Sequence, residues 1–363
     1  MSKNIKISII VGTRPETIKM ASIIKACQEK RLNFFISHTN QHYSNNLTKI
    51  FFDNLELPQP KHILNVGSGT SGRETGKILL EAEKILKKEK PDIVLVEGDT
   101  NSVLAGALAA SKLQIKVGHI EAGLRSYSRE MPEEMNRILV DHCSDYLFVP
   151  TKNAKKILIG EGISKNNIFI TGNTVVDAVY QNVKMAKEKS RILQKLNLKK
   201  KEYFLFTLHR PENVDRKERI REIFKGLKLI QKEFNFPIVF PIHPRTKKTL
   251  KKFNLKVPKE VKLIGPVGYL DFLSLEFHAG LVLTDSGGIQ EETCILKVPC
   301  VTLRDNTERP ETIIVGSNAL AGTNSQKILT FSRKMIHKRR SWKNPFGDGK
   351  SGKRIIDIIL NSY

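Results

Sequence analysis

Short apolar runs alternate with helical stretches along almost the whole chain. Runs of about four to seven apolar residues recur roughly every 20 to 35 positions, and the residues between them have the apolar spacing of amphipathic helices. Alternation of this kind is typical of βαβ units, so the pattern predicts an α/β protein with parallel sheets. The predicted strands form a first series, at 5–11, 34–39, 93–97, 116–120, 146–150 and 168–171, and a second, at 203–208, 238–241, 261–264, 281–284 and 300–303.

A lysine-rich helical stretch over 174–198 separates the two series and indicates the joint between two domains. We therefore predict an N-terminal Rossmann-like domain over 1–173 and a C-terminal one over 174–349. The segment 355–360 is apolar at helical spacing, so a C-terminal helix over 350–363 is expected to return to the first domain. Two Rossmann-like domains facing each other would bind a ligand in a central cleft, at the carboxyl ends of their strands.

Composition narrows the class of protein. Of the 363 residues, 40% are hydrophobic and 27% are charged, which is enough for a large core without disulfide support. No apolar run approaches the roughly 18 residues that a membrane span needs, and the N-terminus does not read as a signal peptide. The four cysteines lack the spacing of a zinc or redox site, so we expect reduced thiols in a cytoplasmic protein.

The net charge of +24 is the unusual feature of the composition. It is compatible with nucleic acid, a membrane surface or an anionic small substrate as the partner. The region 181–260 carries 23 Lys and Arg against 8 Asp and Glu, with few aromatic residues among them. Because stacking on bases needs aromatic side chains, we interpret this region as a solvated lysine-rich surface and expect neither nucleic acid nor membrane as a partner.

Charged side chains follow the strands of the first predicted domain. Arg14 lies in the loop after the first strand, where it would either bind a diphosphate or remain an ordinary surface arginine. Asp99 and Glu121 each come shortly after an apolar strand, and Glu133 and Arg137 open the next helix. An acid in a first helical turn can also serve only to complement the helix dipole. Three carboxylates and two arginines together predict proton chemistry on an anionic substrate.

The second predicted domain offers a phosphate site and two histidines. The sequence Asp-Ser-Gly-Gly from 285 leads from a strand into a helix, whose free amides and positive end would bind a phosphate. Glu292, one turn further, would accept hydrogen bonds from ribose hydroxyls. His209 and His243 both follow predicted strands, so a functional role and a purely structural role are about equally expected for each. No G-x-G-x-x-G follows the first strand, so a nicotinamide-dinucleotide site is not expected.

The ordered set of motifs resembles a known family. The segments that carry the resemblance are, in chain order, G-T-R-P-E from Gly12, Q-H at 41–42, E-G-D-T from Glu97, H-I-E-A-G-L-R-S from His119, P-E-E-M-N-R from Pro132, L-H-R-P-E-N from Leu208 and D-S-G-G-I-Q-E-E from Asp285. Together they look like the non-hydrolysing UDP-N-acetylglucosamine (UDP-GlcNAc) 2-epimerases, and they cover nearly the whole chain.

The resemblance implies both a fold and a reaction. The fold is two Rossmann-like domains arranged as in the GT-B glycosyltransferases. The reaction converts UDP-GlcNAc to UDP-N-acetylmannosamine (UDP-ManNAc) by eliminating UDP to 2-acetamidoglucal and adding it back, with proton exchange at carbon 2. The product would supply surface polysaccharide or glycan synthesis. The resemblance further implies a UDP-sugar as the partner molecule, no cofactor, no metal, and a homodimer.

The resemblance also assigns residues to roles. The catalytic positions are matched by Asp99, Glu121, Glu133, Arg137 and His209, and the UDP-binding positions by Arg14, Lys19, Ser286, Gly287, Gly288 and Glu292. Bacterial members bind a second, activating substrate molecule at positions that match Gln41, Arg210 and His243. Ser44 stands where these members often have a further glutamine, so we expect the activating site to be present but weaker.

Three other functions stay open from the sequence. Close relatives of the family act on UDP-2,3-diacetamido-glucuronate, although Glu16 in the first motif favours the GlcNAc type. A glycosyltransferase of GT-B fold would share the architecture but would not need so many carboxylates. A nucleic-acid-binding protein is supported only by the net charge.

Overall fold

The computed structural model describes residues 5–40, 45–67 and 69–363 of the chain. The chain divides into two compact units, Met1–Ala178 with Phe346–Tyr363 and Val179–Pro345. Each unit contains one sheet of parallel strands with helices between them, so the predicted fold class is confirmed. None of the described helices has the length and apolarity needed to cross a bilayer.

The first unit has a seven-stranded sheet in the order β3-β2-β1-β4-β5-β6-β7. The order reverses between β1 and β4, which creates the crevice where parallel α/β sheets bind ligands. Its strands are β1 (Lys6–Val11), β2 (Asn33–His38), β3 (His62–Ile63), β4 (Ile93–Glu97), β5 (Lys116–Ile120), β6 (Tyr146–Val149) and β7 (Ile168–Ile170). Its helices are α1 (Arg14–Glu29), α2 (Asn45–Asn54), α3 (Ser71–Glu89), α4 (Asn101–Lys112), α5 (Pro132–Cys143), α6 (Lys152–Gly160) and the start of α7 (Thr174–Lys189).

The second unit has a six-stranded sheet in the order β10-β9-β8-β11-β12-β13, with its reversal between β8 and β11. Its strands are β8 (Phe204–Phe206), β9 (Ile238–Pro241), β10 (Val261–Ile264), β11 (Leu281–Thr284), β12 (Cys300–Thr302) and β13 (Asn318–Leu320). Its helices are the end of α7, α8 (Ile192–Lys195), α9 (Pro211–Val214), α10 (Lys217–Phe234), α11 (Pro244–Lys252), α12 (Tyr269–His278), α13 (Gly287–Leu296), α14 (Pro310–Ile314) and α15 (Ser325–Ile336).

Central strands are apolar on both faces because helices cover both sides of each sheet. All five residues of β4 are buried, and Val94 and Val96 pack in one core cluster with Ile10 of β1. Close packing reaches the helix behind them, since a Cβ at Gly106 of α4 would lie 3.0 Å from the side chain of Ile10. The continuous apolar runs seen in the sequence are therefore buried parallel strands.

All eleven predicted strands are present, and the structure adds the edge strands β3 and β13. Both are two or three residues long and contain no apolar run that would reveal them. The prediction of one helical stretch over 174–198 is wrong, because α7 ends at Lys189 and α8 begins only at Ile192. Ser190 occupies the break, and its hydroxyl donates to Asp271 at 2.5 Å.

The last helix, α16 (Ser351–Ser362), belongs to the first unit, as predicted. It packs on α1, where a Cβ at Gly352 would lie 2.5 Å from the hydroxyl of Ser22. The amides of Ser351 and Gly352 donate to the buried carboxylate of Asp177, at 3.2 and 3.0 Å. An anchored helix start and a close helix contact therefore fix the chain terminus to the first unit.

Candidate active site

Glu121 lies directly after β5 in a left-handed backbone conformation, with a φ of 67°. Residues other than glycine rarely adopt this conformation, because it costs about 1–3 kcal/mol and persists only where surrounding contacts hold it. The carbonyl of the preceding residue, Ile120, accepts a hydrogen bond from the amide of Gly98 at 3.1 Å. The amide of the following residue, Ala122, donates to the carbonyl of Phe148 at 3.2 Å. The fold therefore imposes the position of Glu121.

Side chains from α1 and from the loop after β7 hold the carboxylate of Glu121. Lys19 of α1 places its Nζ 2.5 Å from Glu121 Oε2, and Asn173 Nδ2 donates to the same oxygen at 3.1 Å. The same Nζ of Lys19 also lies 2.9 Å from Oε1 of Glu97, the last residue of β4. One ammonium group is thus shared between two buried carboxyl groups.

Burial changes the acidity of two carboxyl groups in this region. Burial raises the pKa of Glu97 well above its usual range, an effect that Glu121 increases and Lys19 opposes. Burial likewise raises the pKa of Glu16 to about 7, although Glu16 accepts a hydrogen bond from the amide of Gly12 at 2.7 Å. These carboxyl groups are suited to hold protons at neutral pH.

Arg137 of α5 joins two further carboxylates. Its guanidinium is buried, pairs with Asp99, and donates to Glu134 Oε2 at 2.7 Å. Glu134 also accepts hydrogen bonds from the backbone amides of Ser126 and Tyr127, at 2.9 and 2.8 Å. The first turn of α5 thus directs one of its two acids into the protein, so Glu134 is more than a charge complementing the helix dipole.

Glu133 precedes Glu134 in the first turn of α5 and is half-buried. Four of the five residues predicted to be catalytic therefore lie on the segments that follow β4 and β5, which are adjacent in the sheet: Asp99, Glu121, Glu133 and Arg137.

A second buried ion pair supports these segments. His119 Nδ1 lies 2.7 Å from Asp141, and its Nε2 lies 2.8 Å from the carbonyl of Gly98. Arg125 pairs with the same Asp141 at 2.8 Å. The histidine and the arginine of the H-I-E-A-G-L-R-S motif thus hold the backbone around Glu121.

In the second unit, His209 is held by a buried carboxylate. Its Nδ1 lies 3.0 Å from Oδ1 of Asp285, and the backbone amides of His209 and Arg210 donate to the same carboxylate at 3.1 and 2.9 Å. Burial opposes ionisation of Asp285, but His209 and these amides outweigh it, so the pKa of Asp285 is lowered. With Nδ1 directed at Asp285, Nε2 is the ring nitrogen that can exchange a proton with a substrate.

The N-terminus of α13 has the features of an anion site. Ser286 precedes the helix in an extended conformation, and its side chain makes no capping hydrogen bond to the described first turn. Ser286 therefore does not cap the amides of that turn, and helix N-termini of this kind favour a bound anion. A Cβ at Gly288 would meet nothing within 4 Å, so the backbone is open to close approach there.

Arginines and glutamates that are largely buried form a network behind this helix end. Glu308 pairs with Arg304 at 2.8 Å, with Arg309 at 3.0 Å and with Arg210 at 3.6 Å. Arg304 also lies 3.3 Å from Glu212. Arg309 also lies 3.4 Å from Glu291 of α13. Because breaking a buried ion pair leaves an uncompensated charge, the network fixes the loop after β12 against α13.

Glu292 lies one turn into α13 with its Oε1 3.5 Å from the hydroxyl of Tyr269. Glu276 of α12 is fully buried nearby, and burial together with the charge of Glu292 raises the pKa of Glu276 well above its usual range. Glu292 is half-buried, as a residue that meets a ligand hydroxyl would be.

Comparison with known proteins places the chain in a family. A sequence profile described as UDP-N-acetylglucosamine 2-epimerase matches residues 25–360. The chain belongs to the UDP-N-acetylglucosamine 2-epimerase family. The UDP-N-acetylglucosamine 2-epimerase of Methanocaldococcus jannaschii is 58% identical, and that of Methanococcus maripaludis is 55% identical, each over 98% of both chains. The predicted family and the prediction of an epimerase-type enzyme are confirmed.

Solved structures of epimerases agree with the fold. A crystal structure of the Methanocaldococcus jannaschii enzyme in complex with UDP-GlcNAc and UDP is similar with a TM-score of 0.93, over 98% of this chain and 100% of that one. The UDP-GlcNAc 2-epimerase of Neisseria meningitidis, bound to UDP-GlcNAc, is similar with a TM-score of 0.90 at 34% identity, over 98% of this chain and 100% of that one.

The residues predicted for an activating site are described in part. Gln41 and Ser44 lie outside the described residues. His243 caps α11 by accepting from the amide of Arg245 at 3.2 Å, and its ring lies 5.8 Å from that of His209. Arg210 is adjacent to His209 in the chain, so both described residues of the predicted activating site lie beside this histidine.

Arg14 begins α1, as the Pro at the next position predicts. Its guanidinium lies 5.6 Å from the centre of the Phe51 ring, in cation–π geometry. This contact restrains a long, flexible side chain.

Four acidic residues that hold the predicted site residues, or the segments around them, were not among those predicted from the sequence: Glu97, Glu134, Asp285 and Glu308. Glu97, Glu134 and Asp285 lie inside the motifs named above, next to residues that were predicted for the site, and Glu134 has the position of a helix-capping acid. Glu308 lies outside these motifs. The available clue for Glu97 and Asp285 was position, since both stand at the carboxyl end of an apolar strand.

Gly287 provides a test of the helix end. In Gly287→Ala, the new Cβ would lie 2.6 Å from Glu308 Oε1, which is itself fixed by Arg304 and Arg309. We expect the variant to lose about 1–3 kcal/mol of unfolding free energy through overpacking, measured by denaturant unfolding. The stability control is Gly288→Ala, which has open space at its Cβ. Equal stability of the two variants would contradict the packing argument.

Proposed function

We propose that this member of the epimerase family interconverts UDP-GlcNAc and UDP-ManNAc. The observation that carries the proposal is the buried group after β4 and β5, in which Lys19 pairs with Glu121 and Arg137 pairs with Asp99. The relatives that are 58% and 55% identical and are named for this activity support it.

The proposed chemistry follows from the acidity of the sugar. The hydrogen on carbon 2 is only weakly acidic, so the bond from carbon 1 to UDP must weaken before that proton can leave. The departing diphosphate needs cationic and amide partners, and we assign to it Arg14, Lys19, His209 and the N-terminus of α13 with Ser286, Gly287 and Gly288. Glu292 is assigned to the ribose hydroxyls.

Two carboxyl groups then exchange the proton at carbon 2. One carboxylate removes it while the bond to UDP breaks, which leaves the double bond of 2-acetamidoglucal. A second, protonated group delivers a proton to the opposite face while UDP adds back to carbon 1. We assign these roles to Glu121 and Glu133, with Asp99 and Arg137 stabilising charge. The raised pKa values of Glu16 and Glu97 support a site that holds protons at neutral pH.

Deuterium incorporation tests this route. With UDP-GlcNAc in deuterated water and a chelator present, we expect both nucleotide sugars at equilibrium, each carrying deuterium at carbon 2, because the returned proton exchanges with solvent. Proton NMR of the anomeric and carbon-2 signals measures both results. Retention of hydrogen at carbon 2 would falsify the deprotonation route, and accumulation of free ManNAc and UDP would indicate a hydrolysing enzyme instead.

A second candidate function is 2-epimerisation of UDP-2,3-diacetamido-glucuronate. A Pseudomonas aeruginosa 2-epimerase named for this uronate is 42% identical over 98% of this chain and 99% of its own length. The same carboxylates would serve, because both substrates react at carbon 2. Competition between the two UDP-sugars in one assay distinguishes the two activities by their kcat/KM values.

The proposal extends to regulation and assembly. By the resemblance, Arg210 and His243, with Gln41 outside the described residues, bind an activating UDP-GlcNAc molecule, and the enzyme is a cytoplasmic homodimer. The position of His243 beside His209 supports a link between such a molecule and the reaction.

A further inference from the structure

Three buried carboxyl groups and one ammonium group lie in the same region of the first unit, and the ammonium contacts two of the three. Glu16 and Glu97 are 2% and 1% exposed, and Glu121 is 6% exposed. Lys19 Nζ lies 2.9 Å from Glu97 and 2.5 Å from Glu121, and the charge of Glu16 also acts on Glu97. We call these four residues the Lys19 cluster.

Charged groups on the neighbouring elements of the first unit either add negative charge or are engaged with partners of their own. Asp99, on the loop after β4, adds negative charge that is felt at Glu16, and the guanidinium of Arg137 is engaged by Asp99 and Glu134. On β5, the ring of His119 is bonded to Asp141 and to the carbonyl of Gly98.

The charge balance decides which form of the cluster is stable. Three ionised carboxylates beside one ammonium would leave an excess of two negative charges away from water. Repulsion between unit charges a few ångströms apart in a poorly solvated region is large, so such sites bind protons. Lys19 Nζ lies closer to Glu121 than to Glu97, so the ammonium stabilises the ionised form of Glu121 more strongly. Glu97 is therefore the carboxyl group of this pair that is better placed to be neutral.

We propose that Glu97 is protonated while the enzyme works, and that as a neutral acid it positions Lys19 so that the ammonium charge serves Glu121. Glu97 is therefore a positioning residue, and this role rests on the proposed function of Glu121 in proton exchange. When Glu97 ionises at alkaline pH, it competes with Glu121 for Lys19 and adds negative charge to a site for an anionic substrate. Activity then falls.

Glu97→Gln tests the proposal because an amide has the shape of the protonated acid but cannot ionise. Near neutral pH we expect kcat of the variant to stay within about threefold of the wild type, since both present a neutral polar group to Lys19. At alkaline pH we expect the variant to keep activity where the wild type loses it, so that the alkaline limb of kcat moves up by about one pH unit or more. The matched control is Glu89→Gln, a buried carboxylate that pairs with Lys6 and Lys61 and whose pKa is lowered to about 2.

Stability gives a readout that does not depend on catalysis. The folded state raises the pKa of Glu97, so proton binding by this residue stabilises the fold. Its contribution to the free energy of unfolding is complete below the pKa of the unfolded state and is lost as pH rises through the pKa of the folded state. Glu97→Gln should therefore gain thermal stability over the wild type progressively above about pH 4.5, the unfolded value of a glutamate. Glu89→Gln should instead lose stability relative to the wild type between about pH 2 and pH 4.5, and the difference should stay constant above about pH 4.5.

Two results would overturn the inference. A Glu97→Gln variant that folds but loses most of its activity at neutral pH would mean that the ionised form is needed. An alkaline limb that is identical in variant and wild type would mean that Glu97 is not the group that titrates. The wild type could also prove to have no epimerase activity while the stability of Glu97→Gln relative to the wild type still grows with pH. In that case the proposed function is wrong, but the inference that Glu97 is protonated stands.

Discussion

Glu121→Gln is expected to lower kcat for epimerisation by about 10²–10⁴-fold, the usual contribution of a general base. Glutamine preserves the shape of the side chain and can still accept the hydrogen bond from Asn173. It cannot remove a proton from carbon 2. Lys19 keeps its second partner, Glu97, so we expect the variant to fold. Steady-state kinetics by NMR gives kcat, and calorimetry with UDP gives the affinity for the nucleotide.

The affinity for UDP separates loss of the base from general damage. In Glu121→Gln, UDP binding should be close to that of the wild type, because Glu121 is not assigned to the nucleotide and its partner Lys19 keeps its contact with Glu97. Arg14→Ala is the matched contrast, since it should weaken UDP binding by removing a guanidinium from the diphosphate. If Glu121→Gln weakens UDP binding as strongly as it lowers kcat, Glu121 binds the nucleotide and is not the base.

Much of the first half of the site could be predicted from the sequence, because local rules place it. Parallel strands bring their carboxyl ends to one edge of a sheet, so apolar runs followed by Asp99 and Glu121 were enough to expect these two together. The left-handed conformation of Glu121 has no such clue. It arises from bonds to neighbouring strands that become visible only in the folded sheet.

Long-range pairing limits what the sequence can predict. The partner of His209 is Asp285, which lies 76 positions later in the chain. Asp285 stood in a recognised motif, but no local pattern connects it to a particular histidine. The neutral state expected for Glu97 is also a property of its surroundings, because it depends on burial and on Glu121 across the sheet. The sequence was enough to predict which residue types lie in the site. Their protonation states and their hydrogen-bond partners could be assigned only from the folded structure.

The second large effect is expected for Asp285→Asn. The carboxylate of Asp285 accepts hydrogen bonds from the backbone amides of His209 and Arg210 and from Asn213 Nδ2, and it also pairs with His209 Nδ1. Asparagine offers one acceptor oxygen, and its amide group would face other donors. We expect a loss of about 1–3 kcal/mol in unfolding free energy from buried donors left without acceptors. We also expect kcat to fall by about 10²–10⁴-fold because the imidazole loses its orientation.

A double variant distinguishes orientation of His209 from simple loss of stability. If Asp285 acts on the reaction through His209, the variant His209→Ala should already contain most of the kinetic effect, and adding Asp285→Asn should lower kcat little further. The unfolding free energy should still fall in the double variant, because the amide of Arg210 loses its acceptor in either background. Asp215→Asn serves as the control, since that carboxylate pairs with Arg245 at 2.6 Å and is half exposed. If the fold-decrease in kcat of the double variant equals the product of the two single decreases, Asp285 supports the reaction by a route other than His209.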